Sequence, residues 1–172
     1  MKLLVERAIR LPTIKFFDTS ALLGGYKLSI DDDNYISNIV FQELEHIKIS
    51  ANKDEFIKYK ARSLVRYLMK HREMWHSTNI ERHKIEKLLS KSHTLENNND
   101  GLLICEAYLL SAACNSKQKM EFQFITADAS QYLLASAYSD RLHPVYYKET
   151  APKEDLWTGY KEVYFDDDVE MA

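Results

Sequence analysis

The chain has 172 residues and a formal net charge of −3, with 45% hydrophobic and 28% charged residues, a balance that excludes an intrinsically disordered chain. Only 4 Gly and 3 Pro argue for a helix-heavy design over a loop-rich all-β one. Two cysteines, a start that mixes charges into its apolar residues, and no apolar run approaching the ~18 residues of a membrane span exclude a disulfide framework, a signal peptide and a transmembrane segment, so a cytoplasmic protein is expected.

Residues 13–17 (TIKFF), β-branched and aromatic, predict a buried strand that stops at Asp18-Thr19-Ser20, types that favour turns and helix N-caps. Leu22 and Leu23 lead into the break at Gly24-Gly25, and residues 30–34 form a polar turn. Residues 35–41 (YISNIVF) read as a second strand and 42–49 take helical spacing. Over 54–71, Phe56, Ile57, Tyr59, Ala61, Leu64, Val65, Leu68 and Met69 largely follow the i, i+3, i+4 stripe of an amphipathic helix. Residues 81–89 repeat that pattern more briefly, while 74–80 are ambiguous. Residues 97–101 (NNNDG) are a loop capping a strongly apolar helix over 102–113. A third strand follows over 121–126, a helix over 129–138 and a last strand over 144–147. Residues 1–148 are expected to form one domain, and 149–172, with eight acids against two lysines, an acidic tail or the start of a linker.

Strands alternating with helices imply right-handed crossovers and a parallel sheet covered on both faces. The expected fold is therefore α/β, a three-layer α/β/α sandwich with a central parallel sheet of about four to five strands and a helix-rich insertion in the middle. The charge is divided along the chain. Between residues 46 and 93 stand twelve Lys and Arg against five acids, so the remainder of the chain is strongly acidic. A basic helical region beside acids fits metal ions and a polyanion meeting on one surface; solvated basic helix faces are the plainer reading.

Asp18 follows the first strand and Asp128 the third. In an open parallel sheet, ligands bind outside the carboxyl ends of the strands, where strand order reverses. Glu43 follows the second strand candidate at a helix start, and Asp100 stands at the N-terminus of the apolar helix, where the dipole tolerates an anion. Taken singly, each acid is explained as an N-cap, a first-turn residue or a turn former. Together, four segments deliver a carboxylate to similar positions. Their repulsion calls for a compensating hard divalent cation, and Mg²⁺ or Mn²⁺ suits phosphodiester hydrolysis.

The stretches FFDTSALL (16–23), NIVFQELEHIK (38–48), NNNDGLLICEAYLL (97–110) and FITADASQYLLA (124–135) resemble, in order and residue types, those of PIN-domain nucleases. The nearest flavour is the PIN domain at the N-terminus of PhoH-like proteins, which shows an asparagine before the third acid and a later segment similar to DLWTGYKEV (155–163). The resemblance implies catalytic, metal-binding carboxylates at Asp18, Glu43, Asp100 and Asp128, with Ser20, Asn99, Thr126 and Ser130 in support. It implies a Mg²⁺- or Mn²⁺-dependent endoribonuclease acting on single-stranded RNA, with DNA as the second choice. A second copy of the chain, or an ATPase domain if the chain is cut from a PhoH-like protein, is a further expected partner. Many family members carry another acid where this chain has Ser130 and Gln131, which motivates the alternative of a non-catalytic RNA- or protein-binding scaffold.

Lys58, Arg62, Arg66 and Lys70, together with Lys60, are candidates for contact with a nucleic-acid backbone. Tyr59, Tyr67 and Trp75 either stack on bases or belong to the core. His46 is the histidine nearest the expected site, though contact with a phosphate is not the favoured reading. Cys105 and Cys114 read as packing residues. Two other doubly wound aspartate proteins fit less well. A phosphotransferase of the haloacid dehalogenase type wants an acid where Ser20 stands, and a response receiver wants an acidic pair and a lysine that have no clear place here.

Overall fold

The computed structural model describes residues 13–115, 121–150 and 156–157. The opening residues 1–12 and the tail acids 166–168 lie outside these, as does DLWTGYKEV except for its Leu156 and Trp157.

The element order is β1 (Ile14–Phe17), α1 (Thr19–Leu23), β2 (Asp33–Ile36), α2 (Asn38–Ile49), α3 (Glu55–Lys70), a 3-10 turn (Arg72–Met74), β3 (Trp75–Ser77), α4 (Arg82–Ser90) and α5 (Asn99–Asn115). Then come β4 (Phe122–Thr126), α6 (Ala129–Tyr138), a 3-10 turn (Asp140–Leu142), β5 (Pro144–Tyr146) and α7 (Tyr147–Thr150). The five strands form one sheet in the order β3-β2-β1-β4-β5, and every pairing is parallel. The α/β/α architecture with a five-stranded parallel sheet is the expected one.

β1 lies at the centre and is buried on both faces: Ile14, Phe16 and Phe17 are all covered, and its one charge, Lys15, pairs with Asp32 at 2.9 Å. Its register with β4 sets Phe16 opposite Phe124, whose rings stack at 5.9 Å. From β1 the chain winds outward through β2 and β3, then returns to β4 on the other side of β1. The order of winding therefore reverses at the β1–β4 seam, and that crevice is where such sheets bind ligands.

Two elements differ from the sequence reading. The second strand spans Asp33–Ile36 rather than 35–41, because Ser37 ends it as the N-cap of α2: the Ile39 N–H donates to Ser37 Oγ (3.0 Å) and the run NIVF becomes helix. Residues 74–80 contain β3, three residues at the sheet edge, too short for any periodicity to show.

Ser37 also donates from its hydroxyl to Glu106 Oε1 (2.6 Å), and Thr78 donates to Glu106 Oε2 (3.0 Å). Glu106, in the middle of α5 and only 2% exposed, thereby clamps the ends of β2 and β3 to that helix. Burial raises its pKa, opposed by the two hydroxyl bonds and by the charge of Arg82. Glu106→Ala is expected to cost about 2–5 kcal/mol, from the cavity and two buried hydroxyls left without an acceptor. Adding Thr78→Val, which removes one of the two orphaned hydroxyls and leaves the Ser37 cap in place, should recover part of that loss in urea unfolding, as coupled sites do.

α5 begins earlier than the expected 102. Asn98 is its cap, with Oδ1 accepting the Gly101 N–H at 2.9 Å. Gly101 is there for space: a Cβ at this position would lie 2.2 Å from the carbonyl oxygen of Glu96. Gly101→Ala is expected to cost about 1–3 kcal/mol through overpacking, read as a lower urea midpoint.

Leu156 and Trp157, inside the stretch read as tail, pack back on the domain. The Leu156 N–H donates to Gly25 O (2.9 Å) and Trp157 Nε1–H to Leu23 O (2.7 Å). Among the described residues no helix is long and apolar enough to cross a membrane.

Candidate active site

Asp18 leaves β1 still in the seam: its N–H donates to Ile125 O of β4 (2.8 Å). It precedes α1 but makes no side-chain cap bond. Instead its Oδ2 accepts from both Ser20 Oγ and Thr126 Oγ1, each at 2.8 Å. The two hydroxyls lie 3.1 Å apart and in turn accept the backbone N–H groups of Ala127 (2.9 Å, to Ser20) and Asp128 (3.0 Å, to Thr126). One buried carboxylate and two hydroxyls thus lace the loop after β1 to the loop after β4.

Glu43 lies in the middle of α2 rather than at its start, and Thr19 Oγ1 donates to its Oε1 (2.9 Å). Asp100 is the second residue of α5; with Asn98 capping that helix, its carboxylate is not needed for the cap. Asp128 caps α6 with Oδ1, which accepts the N–H groups of Ser130 (2.8 Å) and Gln131 (3.3 Å). Gln131 is 1% exposed, and its Nε2 donates to the Asp100 carbonyl (3.0 Å), tying the first turns of α5 and α6 together.

Asp18, Glu43 and Asp100 each sense burial first and their acidic neighbours second. Burial, chiefly, pushes Asp18 up from 3.8 to about 6; the hydroxyls of Thr126 and Ser20 oppose it, and the charges of Asp100 and Asp128 add to it. Glu43 is raised by burial, opposed by the Thr19 hydroxyl and reinforced by the charges of Asp18 and Asp100. Asp100 is raised by burial and by Asp128. Proximity of like charges is the shared signature, and no basic side chain figures among its causes.

Among the described residues no three His, Cys, Asp or Glu side chains stand together as a ready-made metal group. The donor chemistry nevertheless fits a hard divalent cation: four carboxylates, with Asp18 Oδ1 and Asp128 Oδ2 outside the hydrogen bonds that hold their partner oxygens. Gln131 Oε1, buried without a hydrogen-bond partner on the side chain that joins Asp100 to the Asp128 turn, is an acceptor suited to a cation's water.

A family model described as PIN domain matches residues 16–139, most of the chain, a span that includes Asp18, Glu43, Asp100 and Asp128. The chain belongs to the PIN domain family. PIN domains are typically nucleases and generally use divalent metals, so the fold and the acid positions agree with nuclease-type function. None of the curated proteins matches the chain. Among solved structures, a domain of a functionally unknown protein from Methanocaldococcus jannaschii DSM 2661 is similar at 20% identity and a TM-score of 0.49, over 84% of this chain and 96% of that one.

Around the four carboxylates of this PIN domain the residues expected from the sequence divide. Ser20 and Thr126 bond Asp18 directly, whereas Ser130 contributes its backbone N–H to Asp128. Asn99 lines a hollow with Glu43 and His46. Of the basic residues on α3, Lys60 lines the hollow beside Asp128; Lys58 pairs with Glu55 (3.8 Å) and Arg66 donates to Ser63 (3.3 Å). Arg62 and Lys70 lie on the same helix face as these two, at four-residue spacing. Tyr59 and Trp75 are core residues: Tyr59 is 2% exposed, and the buried Trp75 donates to Leu68 O (2.9 Å). Tyr67 is half-buried, its hydroxyl accepting the Leu28 N–H (3.2 Å). Cys105 is buried and Cys114 half-buried, as packing residues would be. Thr19, Gln131 and Lys148 were not singled out as site residues. Thr19 carried the signal of standing inside the DTS motif, and Gln131 that of occupying a position where relatives place an acid.

Proposed function

We propose that this PIN domain is a Mg²⁺- or Mn²⁺-dependent endoribonuclease that hydrolyses phosphodiester bonds in single-stranded RNA, with Asp18, Glu43, Asp100 and Asp128 as the metal-holding residues. The convergence of four carboxylates at the β1–β4 switch point, each of the three shifted ones raised by its acidic neighbours, carries this reading. When bound there, a divalent cation supplies Lewis acidity that activates water and offsets charge on the phosphate.

The chain's own residues prepare that chemistry. Ser20 and Thr126 fix one oxygen of Asp18 and leave the other to a ligand. Thr19 orients Glu43, and Gln131 sets the spacing between the Asp100 turn and the Asp128 turn. With a pKa of about 6, Asp18 is a carboxylate at neutral pH and becomes a neutral acid, a poorer cation ligand, below that value. Kinship to the PhoH-like branch is supported by Asn99 before Asp100 and by the sequence of 155–163.

The test is cleavage of single-stranded RNA by the purified chain with and without Mn²⁺, beside Asp18→Asn. Metal-dependent cleavage by the wild type alone is expected. Equal cleavage by both proteins rejects the assignment, and RNA binding with no cleavage under any metal replaces it with the scaffold reading.

A further inference from the structure

A hollow of about 680 Å³ adjoins the carboxylates on the β5 side of the seam. It shares Ser20 and Asp128 with the acid site and is completed by Ile57 and Lys60 of α3, by Tyr146 at the end of β5 and by Lys148 of α7. Its size falls in the about 300–1,000 Å³ range of small-ligand sites. A second hollow, about 490 Å³, is lined by Glu43, His46, Lys53 and Asn99. Since Glu43 follows β2 while Tyr146 ends β5, the strand order sets the two hollows on opposite flanks of Asp18.

We propose that the larger hollow receives the nucleoside adjoining the reactive phosphate of a single-stranded nucleic acid, with Lys148 on a neighbouring phosphate. The proposal rests on the nuclease reading for the word reactive; the binding it describes does not.

Three observations support a strand as the occupant. The hollow opens onto the acids, so whatever fills it must bring a group that tolerates a carboxylate cluster and its cation, which a phosphodiester does. Two lysines come from separate elements, Lys60 from α3 and Lys148 from α7, to the same wall. The Lys60 ammonium lies 4.3 Å from the Phe56 ring centroid and 5.6 Å from that of Trp157, so these rings help to fix its place in the wall. Tyr146 supplies an aromatic wall, its ring 6.0 Å from that of Tyr132. Lysines beside an aromatic face are the elements that hold single strands, whereas a base stacked in a duplex cannot turn into a side hollow.

The experiment measures fluorescence anisotropy of a labelled single-stranded dodecanucleotide in EDTA, across a salt series, for the wild type, Ile57→Trp and Lys148→Ala. Ile57→Trp fills the hollow and is expected to weaken binding at least about tenfold. Lys148 is exposed, so its substitution spares the fold. It should lower the slope of log K against log salt by about 0.7, the loss of one single-strand phosphate contact. The same sequence annealed into a duplex should bind weakly to all three proteins. Wild-type affinity and salt slope in Lys148→Ala, or equal binding of duplex and single strand, overturns the proposal, as does a mononucleotide that binds as tightly as the dodecamer. Hydrolysis of bis(p-nitrophenyl) phosphate with Mn²⁺, a diester with no base, reads the nuclease assignment separately. A wild type that binds the strand through the hollow yet hydrolyses neither diester supports the hollow and overturns the nuclease.

Discussion

Asp18→Asn is expected to give a protein that is more stable than the wild type and silent in cleavage. The side chain is 4% exposed, and its proton affinity rises from 3.8 in an unfolded chain to about 6. The folded state therefore binds this proton more tightly than the unfolded one. Its contribution to stability is full below pH 3.8, falls as pH rises through about 6, and is a net cost at pH 8. At about 1.36 kcal/mol per pH unit, removing the charge is worth up to ~3 kcal/mol. Asparagine keeps an oxygen for Ser20 and Thr126, so the hydroxyl lacing survives. Urea unfolding in EDTA should show the variant ahead at pH 8, with the gap closing toward pH 4. Cleavage should fall by at least about 10²–10³-fold, because the ligand oxygen most enclosed by protein has lost its charge. A variant less stable than the wild type at pH 8, with an unchanged pH dependence, would show that the buried carboxylate is not held at a cost.

The second large effect is protection by a divalent cation. Four acids that repel one another in the folded chain gain most from a cation that binds only there. Mn²⁺ at about a hundred times its dissociation constant stabilises by ~2.7 kcal/mol. For a domain of this size that corresponds to a melting temperature higher by roughly 5–10 °C. Binding must displace the protons that Asp18, Glu43 and Asp100 hold above their ordinary range, so protection should weaken as pH falls below about 6. Asp18→Asn should lose most of it at pH 8. A wild-type melting temperature indifferent to millimolar Mn²⁺ at pH 8 would refute the cation assignment.

Much of this was legible in the residues themselves. TIKFF announces a buried strand because β-branched and aromatic residues dominate it, Lys15 being the one charge within it. Four acids placed after strands or at a helix opening announced the rim. YISNIVF misled because its apolar run suits a strand or a helix equally; the deciding mark was Ser37, whose hydroxyl starts α2. β3 was invisible at three residues, its place secured by pairing with β2 and by the Thr78 bond to Glu106. The basic stripe of α3 was visible, but which lysine turns toward Asp128 depends on how that helix packs, and spacing along the sequence carries no such information.

The seam has a temporal meaning. The hydroxyl that steadies Asp18 comes from Thr126, 108 residues farther along, and the two meet only when β4 slots beside β1. Closing so long a loop is entropically the most demanding pairing in the sheet. On the ribosome, a nascent chain that already displays Asp18, Glu43 and Asp100 still lacks Asp128 and the lacing around it. Whatever the assembled acids do would therefore wait on the docking of β4, the step that brings Asp128 and the Thr126 hydroxyl to Asp18.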